Sequence, residues 1–134
     1  MPKRIYKIQG ISLGTASSNT RYGRKEDSLL VTLPQESILS GKFTSNKLKA
    51  APVKLAIENL SNSKKAKKVL LINAGNANAA TGPKGLKDVR KYCKEIALDF
   101  KTSQENVIPF STGVIGEPLA CLLYTSPSPR DTNE

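Results

Sequence analysis

The chain contains no histidine and no tryptophan, and only two of its 134 residues are cysteine. Without histidine, acid–base chemistry within the chain must come from hydroxyls, lysines, carboxylates, the backbone or an N-terminal amine. Ser-His-Asp triads and the usual zinc sites are therefore excluded within it. Cys93 and Cys121 show neither metal-ligand spacing nor a disulfide framework. Cys93 falls on the apolar face of a predicted helix, so we expect it to be a buried small hydrophobe.

Long apolar runs are also absent, and none approaches the length of a membrane span. The basic N-terminus, residues 1–7, is not followed by the apolar core of a signal peptide. We therefore expect a cytoplasmic protein with no membrane partner, while an organellar form stays open. A chain of this length suits one domain with a core of its own.

The charge is strongly positive, with 21 Lys and Arg against 11 Asp and Glu, a net charge of +10. The one lysine cluster, Lys64–Lys68, lies in a predicted turn and has no interleaved aromatic residues for base stacking. We interpret it as a solvated turn and expect no nucleic-acid partner. Attraction for anionic metabolites, and then binding of nucleic acid, are the remaining alternatives.

Apolar periodicity predicts strands and helices in alternation after a Gly- and Ser-rich loop with short extended pieces over residues 10–27. The predicted strands are Ser28–Leu33, a short piece at 41–46, Val69–Ile72 (buried on both faces) and Val107–Phe110. The predicted helices are Pro52–Asn62 and Lys84–Phe100, and Thr102–Glu105 has the pattern of a capping box. These elements predict α/β layers in which the strands Val69–Ile72 and Val107–Phe110 pack against the second helix.

Residues 73–85, between a predicted strand and a predicted helix, contain three Asn, three Gly and four Ala but no large apolar side chain. Such small residues let two backbones, or a backbone and a ligand, approach closely. A Gly-rich loop between a strand and a helix can also bind phosphate. However, Gly75 to Gly82 is too long for a P-loop, and the dinucleotide pattern is absent. The loop therefore predicts either an anion- or nucleotide-binding module, or a turn whose Asn side chains pair with nearby backbone.

Ser111-Thr112-Gly113 follows the last predicted strand and is suited to stabilising negative charge. Gly113 has no side chain to shield its N–H, and the hydroxyl of Thr112 is a second donor. Two donors that converge on one point make an oxyanion hole, and losing one typically costs roughly 10²–10³ in rate.

Four stretches in this order resemble the ornithine acetyltransferase family of arginine biosynthesis, also called bifunctional glutamate N-acetyltransferase/amino-acid acetyltransferase. They are residues 41–46, residues 49–53, the Asn/Gly run from Asn73 to Gly82, and Ser111 to Leu119. The resemblance implies an α/β fold, part of a layered helix–sheet sandwich of the self-processing N-terminal-nucleophile type. It identifies Thr112 and Gly113 as the oxyanion-hole pair.

The resemblance also implies a chemistry and a set of partners. Family members cut themselves before a Thr, which becomes the N-terminal nucleophile of a β chain. This Thr takes acetyl from N-acetylornithine and passes it to glutamate, and some members also accept acetyl-CoA. No resident cofactor or metal is implied. The partner is the β chain of the same precursor in an α2β2 heterotetramer.

The family places its nucleophile in an Ala-Thr-Met context, which this chain lacks, because Ala80-Thr81 is followed by Gly82. The resemblance also stops at Ala120, and two Ser-Pro steps follow in residues 120–134. This text resembles translated sequencing-adapter DNA, so we expect residues 1–119 to be a partial α-chain domain and residues 120–134 a non-native, disordered tail; a native disordered C-terminus is the alternative. We expect the fragment to be inactive alone. A related amidohydrolase with a self-generated N-terminal nucleophile is the closest competing assignment.

Overall fold

The computed structural model describes residues 6–16, 27–117 and 129–130. These residues form one sheet with two α-helices and a 3₁₀ turn. The strands are β1 (Ser12–Ala16), β2 (Ser28–Leu33), β3 (Lys68–Asn73), β4 (Val107–Ser111) and β5 (Pro129–Arg130). The helices are α1 (Ala51–Ser61) and α2 (Gly82–Asp99), and the 3₁₀ turn covers Gln104–Asn106.

The sheet has the strand order β4-β3-β2-β1-β5. The β1–β2, β2–β3 and β1–β5 pairs are antiparallel, whereas β3 and β4 are parallel and are connected through α2. Asn73 at the end of β3 lies opposite Ser111 at the end of β4. Because parallel strands end at the same edge of a sheet, the loops after β3 and β4 begin side by side.

The hydrophobic core lies between the helices and one face of the sheet. Alternate residues of β3, Val69 and Leu71, point to this face together with Leu30 of β2 and Val107 of β4. Their partners on the helices are buried apolar side chains, chiefly Leu55 of α1 and Val89, Tyr92, Cys93, Ile96 and Ala97 of α2. Burial of these apolar side chains is the main force that holds the two helices on the sheet.

The opposite face of the sheet is also apolar, and no described helix contributes to a core there. Leu70 and Ile72 of β3 point to it and are only partly buried, while Phe110 of β4 is 45% exposed. The expectation that β3 is buried on both faces is therefore wrong for these residues. A strand with one covered face and a strand with two covered faces can have the same continuous apolar run. The sequence alone therefore could not distinguish them.

Most sequence-predicted elements are confirmed, and so is the α/β class. Strands β2, β3 and β4 and helices α1 and α2 lie within two residues of their predicted bounds. Pro52 occupies the first turn of α1, where a missing N–H costs nothing. The predicted apolar face of α2 faces the core, and Cys93 is 1% exposed, as expected for a buried small hydrophobe.

Two local predictions are wrong, and the prediction of a solvated lysine turn is wrong at one residue. Residues 41–46 form no strand, because the Thr44 hydroxyl accepts a hydrogen bond from Asn46 N and Asn46 Oδ1 accepts one from Leu48 N. The capping box does not form, since the Thr102 hydroxyl donates to the carbonyl of Lys67 and Ser103 makes no side-chain cap. In the lysine cluster Lys64, Lys65 and Lys67 are exposed, but Lys68 is 5% exposed.

The predicted boundary after Leu119 falls outside the described residues, so the assignment of residues 120–134 to a separate, non-native tail stays a prediction. Within that segment the structure describes only β5, which pairs with Leu13 and Gly14 of β1. An extended pair of residues there differs from the expectation of no regular structure. The unpaired edge of β1 is able to accept such an addition.

Candidate active site

The two loops singled out in the sequence lie side by side and are joined by backbone hydrogen bonds. Thr112 N donates to Asn73 O (3.0 Å), and Val114 N donates to Gly75 O (3.2 Å). In return, Ala77 N donates to Val114 O at 2.9 Å. These bonds continue the β3–β4 ladder beyond the ends of both strands, so the two runs lie next to each other at this edge of the sheet.

Gly113 is the point at which the loops approach most closely. Its φ of +128° is a conformation that side chains disfavour. A Cβ at this position would lie 2.4 Å from Gly75 C and 2.6 Å from Asn76 N, both backbone atoms that cannot move aside. The small residues in the two runs therefore allow backbone to meet backbone, as the composition predicts.

The side chain of Asn73 connects the two loops a second time. Its Oδ1 accepts a hydrogen bond from the Ser111 hydroxyl, and its Nδ2 donates to Asn76 O at 2.9 Å. The side-chain amide of Asn73 thus holds the end of β4 through its oxygen and the loop after β3 through its nitrogen. Asn73 and Ser111 form what we call the amide clamp.

Asn78 is fully buried and fixes the rest of the loop. It adopts a left-handed conformation (φ +50°), which Asn tolerates better than most residues. Its Nδ2 donates to Gly85 O at 2.9 Å, and its Oδ1 accepts from the Thr81 hydroxyl at 2.7 Å. Its carbonyl accepts from Ala51 N at 3.2 Å, so the loop also holds the start of α1.

The Asn side chains of the loop therefore pair with nearby backbone. Asn73 and Asn78 do so as described, and Asn76 Nδ2 donates to Glu117 O at 3.1 Å. The alternative prediction of a turn whose amides satisfy backbone groups is confirmed for these three residues. Their separate roles depend on contacts with residues far along the chain, such as Glu117 and Gly85, which the local sequence does not show.

Thr112 and Gly113 present two hydrogen-bond donors, a side-chain hydroxyl and a backbone N–H. Both residues are exposed, and neither the Thr112 hydroxyl nor the Gly113 N–H has a hydrogen-bond partner in the described parts of the chain. The Thr112 N–H, by contrast, is bound to Asn73 O. An unshielded N–H beside a free hydroxyl, on a loop held from both sides, can accept developing negative charge.

A cavity of about 150 Å³ adjoins these loops at the N-terminus of α2, lined by Ala80, Thr81, Lys84, Gly85, Asp88 and Gly116. Its two charges neutralise each other, because Lys84 Nζ lies 2.8 Å from Asp88 Oδ2. Gly85 is required here, since a Cβ would come within 1.8 Å of the Thr81 hydroxyl oxygen. The cavity thus offers no uncompensated charge to a ligand.

Cys93 is not a nucleophile in this arrangement. Burial raises the pKa of its thiol to about 12, although the positive charge of Arg90 acts in the opposite direction. A thiol with such a pKa is protonated at neutral pH, and the thiolate is the reactive form.

No metal-binding cluster of His, Cys, Asp and Glu occurs in residues 6–16 and 27–117. Neither described helix has the length and apolarity to span a bilayer.

Comparisons with known proteins point to one family. The ArgJ family model matches residues 12–128. The arginine biosynthesis bifunctional protein ArgJ of Methylococcus capsulatus is 43% identical over 116 residues, which cover 87% of this chain. The protein of the same name from Colwellia psychrerythraea is 38% identical over 128 residues, or 89% of the chain. The chain spans only 28% and 30% of the length of these two relatives.

Two solved structures share the fold. The arginine biosynthesis bifunctional protein ArgJ of Bacillus halodurans superposes with a TM-score of 0.70 at 30% identity, covering 84% of this chain and 59% of that one. Ornithine acetyltransferase of Mycobacterium tuberculosis, complexed with ornithine, gives a TM-score of 0.75 at 26% identity over 86% of this chain and 64% of that one. They confirm the fold class that the resemblance implied. Since the family model matches most of its length, the chain belongs to the ArgJ family, the ornithine acetyltransferases that its sequence resembles.

Proposed function

We propose that this chain forms part of the active site of a cytoplasmic acetyltransferase of arginine biosynthesis. The enzyme moves acetyl from N-acetylornithine to glutamate through an acetyl-threonine intermediate, with acetyl-CoA as a further donor. The nucleophilic Thr belongs to a β chain of the same precursor, in an α2β2 heterotetramer. The names of the relatives support the pathway, and the ornithine complex of one of them supports the substrate class.

The observation that carries the proposal is the pair of unused donors at Thr112 and Gly113. In the proposed reaction the threonine hydroxyl attacks the acetyl carbonyl and its proton passes to the adjacent α-amine. The carbonyl oxygen becomes an oxyanion that accepts hydrogen bonds from the Thr112 hydroxyl and the Gly113 N–H. Collapse of the intermediate breaks the amide bond, and ornithine leaves with the proton. Glutamate then attacks the acetyl-threonine and restores the free hydroxyl.

The loop geometry explains why such donors would be effective. An oxyanion hole lowers a barrier when its donors are already in place before charge develops. Here the amide clamp and the backbone bonds at Thr112 and Val114 fix the loop on both sides of Gly113. The chain would therefore not have to reorganise during the reaction.

The first experiment assays the purified chain for acetyl transfer from N-acetylornithine to glutamate. We expect no transfer, because an oxyanion hole does nothing without an attacking group. Transfer by the chain alone would contradict the proposed division of the active site.

The second experiment places residues 12–117 in the matching segment of the Methylococcus capsulatus relative, to which the chain is 43% identical. In this chimaera Thr112→Val should lower kcat by roughly 10²–10³ and leave KM nearly unchanged. Thr112→Ser keeps the hydroxyl and is the matched control. Equal rates for the Val and Ser variants would remove Thr112 from the oxyanion hole.

The rival assignment, a stand-alone anion- or nucleotide-binding module, relies on the Asn/Gly loop. Its prediction is phosphate-ligand binding by the isolated chain that is lost on changing Gly82 or Gly85. The amides of Asn73 and Asn78 are engaged with backbone, and Lys84 is paired with Asp88. These contacts favour the acetyltransferase.

A further inference from the structure

A second, larger pocket lies at the other end of β3. It has a volume of about 570 Å³ and is formed by residues 35–39 after β2, by residues 63–65 after α1, and by Lys68. Lys68 begins β3 and Asn73 ends it, so five residue steps of about 3.3 Å place this pocket roughly 17 Å from the candidate active site. Its size falls in the usual range for small-molecule sites.

Lys68 is the unusual residue in this pocket. It is 5% exposed, and its Nζ donates to the carbonyls of Gln35 (2.9 Å) and Ala66 (3.2 Å). An ammonium group has three N–H donors, so one remains. No carboxylate forms an ion pair with Lys68 in the described parts of the chain. Buried charges are normally paired, and no residue in the described parts of the chain acts as the counter-ion of this one.

The rest of the lining adds to the positive charge. Lys64 and Lys65 also line the pocket, and Glu36 is the one acidic residue in the lining. Three positive charges against one negative leave a net charge of +2. The nearby carbonyl of Leu60, at the negative end of α1, accepts a hydrogen bond from the Ser63 hydroxyl (3.3 Å). This bond satisfies one of the carbonyls at the end of the helix, a group that would otherwise repel an anion.

The backbone of the turn that carries Lys64 and Lys65 is held in place by a buried side chain outside the pocket. Asn106 is fully buried, and its Oδ1 accepts from Lys64 N at 2.7 Å. Its Nδ2 donates to the carbonyls of Lys64 and Ala66 at 3.0 and 3.2 Å. The turn that carries the lysines is thus fixed to the 3₁₀ turn before β4.

We propose that this pocket binds a small anion with carboxylate or phosphoryl oxygens, which acts as the counter-ion of Lys68. The pocket is also lined by the exposed side chain of Ile38 and by Leu39, which can contact an apolar part of the same ligand. The site is separate from the loops at Asn73 and Ser111, so it does not depend on the proposed acetyl transfer.

The test is a titration of the 134-residue chain with inorganic phosphate and, separately, with succinate, at constant ionic strength, followed by amide chemical shifts. We expect saturable shifts confined to residues 35–39 and 63–68. Lys68→Met should weaken binding about tenfold, the loss expected when one charge-assisted hydrogen bond is removed. The tighter of the two probes identifies the preferred class of oxygen ligand.

Three further variants separate a built site from general attraction to a basic protein. Lys64→Gln, at an exposed position, should also weaken binding, and Glu36→Gln should tighten it roughly threefold. Lys91→Met removes one exposed charge from α2 outside the pocket and should change nothing. Shifts that do not saturate, or equal effects of Lys64→Gln and Lys91→Met, would overturn the proposal.

Discussion

A methyl group added at Gly113 would destabilise the chain in two ways, through backbone strain and through contact with the neighbouring loop. The residue combines a positive φ with backbone atoms 2.4–2.7 Å from the place of a Cβ. Gly116, three residues further on, also has a positive φ (+84°) but nothing within 4 Å of that place. The pair therefore separates conformational strain from contact between the loops.

We predict that Gly113→Ala destabilises the chain more than Gly116→Ala. Strain from positive φ alone should cost Gly116→Ala about 1–2 kcal/mol. Gly113→Ala bears the strain of its own positive φ (+128°) and must also separate its loop from Gly75 and Asn76. Urea unfolding followed by circular dichroism measures both values. Equal losses for the two variants would show that the loops are not in contact at Gly113.

Cys93 gives a prediction about pH. Its folded-state pKa is raised to about 12 from an ordinary value of 9.0. Above pH 9 the unfolded chain therefore releases this proton while the folded chain retains it. The stabilisation is complete below pH 9 and is lost as pH rises toward 12, by at most about 1.4 kcal/mol per pH unit. Cys93→Ala, in a Cys121→Ser background, should unfold with a shallower dependence on pH between 9 and 11. Parallel curves with and without the Cys93 thiol would contradict this.

At the scale of elements, the amide clamp joins the ends of two parallel strands. Asn73→Ala removes the acceptor of the Ser111 hydroxyl and the donor to Asn76 O. We predict a loss of about 1–3 kcal/mol in the free energy of unfolding, because Asn76 is buried and Ser111 is half-buried, so water replaces the lost bonds poorly. Asn62→Ala is the matched control, since its amide bonds lie in water at the end of α1. It should cost less than about 1 kcal/mol.

How far the elements follow from the sequence depends on the range of the interactions that form them. Helix α2 was predictable because its local apolar period matches its burial. Strand β3 was predictable as a strand because a short apolar run with polar flanks marks it, but that run did not show that only one of its faces is well buried. Strand β1 was predicted only as extended pieces, because Ser12–Ala16 is regular through pairing with β2, a contact between distant residues. Residues 41–46 have strand-like composition, but the side chains of Thr44 and Asn46 bond to nearby backbone instead.

In the candidate site, too, local patterns were predictable from the sequence and contacts between distant residues were not. The small residues of residues 73–85 and 111–116 indicated close backbone approach, and the structure shows it at Gly113. The amide clamp could not be foreseen, because it requires the register that places Asn73 opposite Ser111. Burial of Lys68 was likewise invisible in a run of lysines, since it follows from the carbonyls of Gln35 and Ala66.

At the scale of the molecule, the sheet presents an apolar face and an outer edge at β4 with no described strand beyond it. Phe110 lies on that edge strand and is 45% exposed. Such surfaces associate in water. We predict that the isolated chain forms oligomers whose fraction rises with concentration in size-exclusion chromatography. Phe110→Lys should shift the distribution toward monomer.

The control for this prediction is Leu98→Lys. Leu98 is 72% exposed, but it lies on α2, away from the open face of the sheet. If added charge alone improved solubility, both variants would behave alike. A monomeric chain at all concentrations would show that the open face does not drive association.

Asn78 has a consequence for the order in which amide protons exchange with solvent. Its carbonyl holds the first N–H of α1, and its side chain holds the carbonyl of Gly85 in the first turn of α2. Opening the loop at Asn78 would therefore break its contacts with the first turns of both helices. The amide protons of Ala51 and Asn78 should exchange together, and as slowly as those of the sheet, so that a segment rich in Gly and Ala behaves as one of the most persistent parts of the molecule.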